Sequence, residues 1–177
     1  MLAIKYLLVF IPATLALISR RDFGTIVNDM ASIDNKVKIL TTTIQNWSSS
    51  NGFGLVGAAP ILTASEALKS TTRTATMHAE QSPQLTVEQS NNLGALISIL
   101  KTHTSDLLAA MKEKKKDFTE IGALKIARDE ISSLSIAQDE YSLSLINDTP
   151  DVNKAKGEQD KAAFDAIFAD AAQFYST

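Results

Sequence analysis

The sequence contains no cysteine, only two histidines and four prolines, and only 6% aromatic residues over 177 positions. Without thiols there are no disulfide staples, no thiolate metal sites and no cysteine nucleophile, so any compact fold must stand on an apolar core alone. His78 and His103 fall on separate expected helices and outside any HExxH-type spacing, which removes the usual metal and general-base constellations; no cofactor or metal is called for. Charge of one sign is also missing. The net charge is −3 with a pI near 5.4, so there is no basic face for nucleic acid. No strand-length alternation of apolar and polar residues follows the amino-terminal segment, which excludes a sheet.

Long hydrophobic runs are nearly absent too. Leu7 to Ile18 is 12 residues, short of the roughly 20 that span a bilayer, so stable membrane insertion is not expected. With Lys5 as its positive flank and Pro12 before a small-residue exit, the segment 1–19 reads as a secretory signal cleaved after Ala16 or Ser19. Residues 20–177 then form one domain. Two glycosylation sequons, at Asn46 and Asn147, fit the same route, although Pro150 directly follows the second.

What is present is helical periodicity. Phe23, Ile26, Met30, Ile33, Val37, Leu40, Ile44 and Trp47 recur in 3-4 alternation, one stripe of a helix over Asp22 to Trp47. A Ser/Asn/Gly loop, Ser48 to Gly57, ends it. Pro60 opens a second helix to about Ala79, with a small and polar inner stripe of Ile61, Ala64, Ser65, Leu68, Thr72 and Ala75. Thr86 and Gln89 form a capping box for the third, whose buried face is Leu93, Leu96, Ile97, Leu100, Thr104, Leu107, Leu108 and Met111. Phe118 to Gly122 reads as a kink or a brief non-helical join between the third and fourth helices. A fourth helix over Ala123 to Ile146 places Ile131, Leu134, Tyr141 and Leu145 inside, continued by the polar Ser135, Gln138 and Ser142. A fifth over Asp151 to Tyr175 turns Val152, Phe164, Ile167, Phe168, Ala171, Phe174 and Tyr175 inward. The expectation is an all-α antiparallel bundle of about five helices.

The remaining charged groups offer no chemistry. Asp129-Glu130 and Asp139-Glu140 are adjacent on a helix, diverge by about 100° and read as its solvated face. Lys112 and Lys114 to Lys116 read as a solvated helix terminus favoured by the macrodipole, and His103 as a boundary residue bonded to backbone or water. The polar interruptions of the inner stripes stand out, because buried hydroxyls and amides need partners.

Arg21-Asp22-Phe23, Ile26, Asp29, Ile33-Asp34, Val37 and Leu40 resemble the opening helix of the fungal cell-wall galactomannoprotein family, which shares a domain with hydrophobic surface-binding protein A. Phe164-Asp165-Ala166, Ala169-Asp170-Ala171 and Tyr175-Ser176 resemble that domain's last helix, and Leu93 to Lys116 with Phe118 its middle. The resemblance implies a secreted bundle with a central apolar cavity for long-chain fatty acids, binding without turnover. Relatives are thought to sequester host signalling lipids such as arachidonic acid, or to adsorb to hydrophobic surfaces.

On that footing the cavity lining is expected from Ile26, Met30, Ile33, Val37 and Leu40, opposite Leu68, Leu96, Leu100, Leu107, Leu134, Phe164 and Phe168. Ser65, Thr72, Gln138 and Ser142 are the candidates for the carboxylate contact. The chain departs from the family in ending at Thr177 without a Ser/Thr-rich stalk or anchor signal, which suggests a freely secreted form, loosely associated with the cell wall at most. Its fourth helix is also more charged, and a homodimer stays open.

Overall fold

The structure, a computed structural model, describes residues 22–51 and 54–176. The expected signal segment lies outside the described residues, as do Arg21 and Gly52. Among the described residues seven helices follow one another: α1 Phe23–Asn46, α2 Gly54–Gly57, α3 Ala59–Glu80, α4 Val87–Glu113, α5 Lys115–Glu120, α6 Leu124–Asp148 and α7 Asp151–Phe174, with a 3-10 turn at Ser49–Asn51. Five are long and two are single short turns. No strand occurs among the described residues.

Local chemistry sets the starts. The Asp22 carboxylate accepts from the Thr25 amide at 3.0 Å, capping α1. At α4 both halves of the capping box are made: Gln89 N donates to Thr86 Oγ1 at 3.2 Å, and Thr86 N donates to Gln89 Oε1 at 2.9 Å. The stripe of α1 is buried throughout, from Ile26 to Ile44.

Packing closes the five long helices into a ring in the order α1, α3, α6, α7, α4 and back to α1. Consecutive long helices alternate in direction, as expected for short connections. A ring of five leaves a line down its axis that side chains must fill, and this geometry is the origin of the site described below.

The join after α4 differs from expectation. Phe118 lies within α5 and is buried, its ring stacked on Trp47 at 4.9 Å, so burial keeps this stretch helical to Glu120. Only Ile121 and Gly122 turn. Gly122 takes φ +72°, and the Ala123 amide donates to Phe118 O at 2.7 Å, a left-handed glycine stop. The loop after α1 also holds more structure than its glycines suggested. Asp117 receives the Ser49 amide at 2.9 Å and the Ser49 hydroxyl at 2.6 Å, bonds that hold its carboxyl below the usual range and pin the 3-10 turn to α5.

The lysine cluster is not simply solvated. Lys112 pairs with Asp170, Lys114 Nζ donates to Trp47 O at 2.5 Å, and Lys115 Nζ donates to Phe174 O at 2.8 Å while lying 4.9 Å from the Phe174 ring. These contacts fasten the end of α4 to the ends of α1 and α7. Two positions assigned to the inner face of α7 are corrected: Val152 is 73% exposed and Phe174 41%. Both sit in terminal turns, and Phe174 keeps its ring against Lys112 and Lys115 rather than in the core.

A segmented cavity along the bundle axis

Among the described residues, three partly open voids are lined by the inner faces of the ring. The largest, about 220 Å³, is bounded by the first half of α4 (Leu93, Gly94, Ile97, Leu100), the second half of α6 (Gln138 to Thr149), the first half of α7 and Met30. A second, about 100 Å³ and almost wholly apolar, lies at the other end among Leu40, Ile44, Ile61, Met111, Phe118 and Ala127. Between them a gap of about 20 Å³ is bordered by Ile33, Val37, Leu68, Thr72, Leu107 and Phe168.

The voids are strung along α6. Gln138 borders both the large void and the gap, and Leu134 both the gap and the second void. Along α1 the same line runs from Met30 through Ile33 and Val37 to Leu40 and Ile44, about 21 Å at a rise of 1.5 Å per residue. Phe168 and Leu134 both border the narrow gap between the two larger voids.

Fourteen of the sixteen lining and contact residues named from the sequence border one of these voids; Ile26 and Leu96 do not. Ile26 is buried in the ordinary core, and Leu96 is a partly buried side chain packed against it. The four polar candidates separate by their hydrogen bonds. Thr72 Oγ1 donates to Leu68 O at 3.0 Å, and Ser65 Oγ donates to Glu130 at 2.5 Å, so both protons are committed. Gln138 Nε2 donates to Ser142 Oγ at 3.1 Å, which leaves the serine proton and the Gln138 carbonyl for another partner. The uncommitted hydrogen-bonding groups among the four therefore border the large void.

Periodicity missed several residues of the site. Asn153 Nδ2 donates to Asn91 Oδ1 at 3.0 Å across the rim between α4 and α7. Asp160 is buried and bound by Lys101 at 3.2 Å and by Lys156, and Lys161 pairs with Asp139 and, at 2.9 Å, with Asp165. The large void thus has an apolar body and a rim of paired charges. At the opposite end Glu130 bridges to α3: Ser65, and Lys69 at 3.0 Å, both bind it. Burial alone would lower the Lys69 ammonium, but the Glu66 and Glu130 carboxylates outweigh it and its pKa is raised.

These contacts correct the solvated-face reading of α6. Glu130 and Asp139 each cross to another helix, and only Asp129, paired with Lys125, and Glu140 fit that reading. His103 is corrected likewise, since its Nδ1 lies 2.5 Å from the Asp34 carboxylate rather than against backbone or water. Among the described residues there is no cluster of three or more metal-ligating side chains. No described helix is long and apolar enough to cross a membrane.

Asp148, between the cavity-lining Ile146 and Thr149, has one carboxylate oxygen sealed from water without a partner. Burial pushes its carboxyl up from 3.8 to about 6. The folded state therefore holds this proton where the unfolded chain has lost it, so stability falls as pH rises through that window. Asp148→Asn is expected to match the wild type below about pH 4. Above pH 7 it should gain about 1 kcal/mol, the full shift being discounted because part of the side chain keeps water. Urea unfolding at pH 4 and pH 8 reads the difference.

The comparisons with known proteins agree on this architecture. AFMP4P, solved in complex with palmitic acid, superposes with a TM-score of 0.81 at 21% identity, over 87% of this chain and 99% of that one. Ligand binding domain 1 of the Penicillium marneffei MP1 protein, complexed with arachidonic acids, gives 0.81 at 14% identity, over 89% of this chain and 100% of that one. Domain 2 of the same protein, complexed with multiple arachidonic acids, gives 0.80 at 14% identity, over 88% and 97%. At these identities the likeness establishes the all-helical fold. No curated protein sequence matches significantly. The family model for hydrophobic surface binding protein A matches residues 23–147, from the first residue of α1 almost to the end of α6, and the chain belongs to that family.

Proposed function

We propose that this chain is a secreted protein that binds long-chain fatty acids, of palmitic or arachidonic type, in the axial cavity and holds them without turnover. The observation that carries the reading is the line of voids inside the helix ring. Its length of about 21 Å exceeds the roughly 15 Å that an acyl chain occupies in one leaflet of a bilayer. The large void alone is smaller than the roughly 300–1,000 Å³ usual for ligand pockets, so a long chain must also displace the side chains around the central gap. Similarity in fold to proteins solved with palmitic and arachidonic acids supports the same reading.

In this account Met30, Leu100 and Phe164 hold the chain, with Ile33, Val37, Leu68, Leu107, Leu134 and Phe168 parting to extend the channel. Gln138 and Ser142 supply hydrogen bonds. The segment 1–19 directs export, the exposed Asn46 and Asn147 are open to glycosylation, and sequestration of free fatty acid dampens lipid signalling in a host.

A second reading, adsorption to hydrophobic surfaces, is favoured by one feature. Leu55, Val56, Leu62 and Ile126 are exposed at the end of the bundle that holds the small apolar void, and three of them border it. Titration with palmitate and arachidonate beside partition onto hydrophobic beads separates the two. Saturable stoichiometric binding supports the cavity; bead adsorption with no lipid binding supports the surface and contradicts the cavity.

A further inference from the structure

The two ends of the axial cavity differ in charge. Among the described residues the small void is bordered by one charged side chain, the Glu130 carboxylate, and the central gap by none. The large void is bordered by Lys156, Asp160 and Lys161 of α7. An ionised carboxylate taken out of water needs a counter-charge. Glu130 repels it at one end, and only the α7 end offers a cation.

The two lysines there are not equivalent. Lys161 is shared by Asp139 of α6 and Asp165 of α7, one cation to two anions. At Asp160 the balance is reversed. Its carboxylate, with 6% of the side chain exposed, takes Lys101 of α4 on Oδ1 at 3.2 Å and Lys156 on Oδ2, two cations to one anion. The excess of one positive charge suits one monoanion. Lys101 alone already neutralises the buried Asp160, and the Lys156 ammonium has three donors, of which Asp160 takes one. The Lys156 side chain is 61% exposed and also borders the void, so it stands where the void meets solvent. On the α4 wall of the same void Gly94 leaves the space open, since a Cβ there meets no atom within 4 Å.

We propose that Lys156 binds the ionised carboxylate of the fatty acid at the mouth of the large void, while Lys101 keeps Asp160. The ligand then lies with its head group at the α7 rim and its tail running past Met30 toward the central gap. Ser142 and Gln138, on the α6 wall, add neutral hydrogen bonds but no charge. The inference deepens the fatty-acid reading above and rests on it.

The test compares hexadecanoic acid with hexadecan-1-ol at pH 8 on wild type, Lys156→Met, Lys156→Arg and Lys154→Met. Affinities are read from displacement of a fluorescent fatty acid whose own affinity is measured for each variant. Lys156→Met is expected to lose about five- to tenfold in affinity for the acid, the effect of one partly exposed charged contact, and to bind the alcohol as wild type does. Lys156→Arg keeps the charge and should stay within about threefold of wild type. Lys154 pairs with Asp151 on the same helix and does not border the void, so Lys154→Met should leave both affinities unchanged. An unchanged acid affinity in Lys156→Met overturns the inference. So does an equal loss for acid and alcohol, the mark of a structural role, or a loss in Lys156→Arg as large as in Lys156→Met. Wild type that binds neither lipid removes the cavity reading itself, a result distinct from acid binding that ignores Lys156.

Discussion

Gly94→Phe is expected to weaken fatty-acid binding by roughly 200-fold while leaving the empty protein at least as stable as the wild type. Gly94 lies in the first half of α4 and borders the large void, and a Cβ placed there meets no atom within 4 Å. A side chain at this position starts in open space on the wall of the void, and a phenylalanine ring is expected to occupy part of it. Excluding about four methylenes of a bound chain, at about 0.8 kcal/mol each, gives the expected loss. Stability moves the other way, since glycine inside a helix is worse than alanine by about 0.5–1 kcal/mol. Calorimetric titration with palmitate and thermal unfolding of the lipid-free protein check both halves. Undiminished palmitate affinity in a folded variant would place the ligand elsewhere.

Phe168→Ala should have the opposite signature. Its ring is buried beside the narrow gap that separates the two larger voids, and truncating it costs about 3–5 kcal/mol in the empty protein. For a domain of this size that lowers the unfolding midpoint by about 10 °C. The same truncation joins the voids along Leu134 and Gln138, so the longest chain accepted should increase, and the bound lipid should restore part of the lost stability by mass action. Affinities across saturated acids of 12 to about 22 carbons would show it. A chain-length profile identical to wild type would mean that the gap is not on the ligand's path.

The helices were legible because their information is local. The α1 stripe repeats every three or four residues and the Thr86–Gln89 box spans four, and each is found in the structure. The site was half legible. Periodicity places Met30, Leu100, Gln138 and Phe164 on inner faces, but not whether an inner face meets protein or a void, and Ile26 and Leu96 show the difference. The ion pairs were not legible at all. Glu130 with Lys69 and Asp160 with Lys101 join residues about 60 positions apart, and adjacency to another acidic residue gave the wrong sign for Glu130. Tyr141 was recognisable as an inner residue, yet its unpartnered hydroxyl is a property of the packed bundle alone.

The central claim is that the axial cavity holds a fatty acid. Native mass spectrometry of the protein recovered from its producing cells, followed by organic extraction and identification of whatever is released, tests it most directly. The account predicts a discrete mass increment that extracts as a long-chain fatty acid, is absent from Gly94→Phe, and returns to stripped wild type on adding palmitate. A ligand-free mass that no added fatty acid shifts would contradict it.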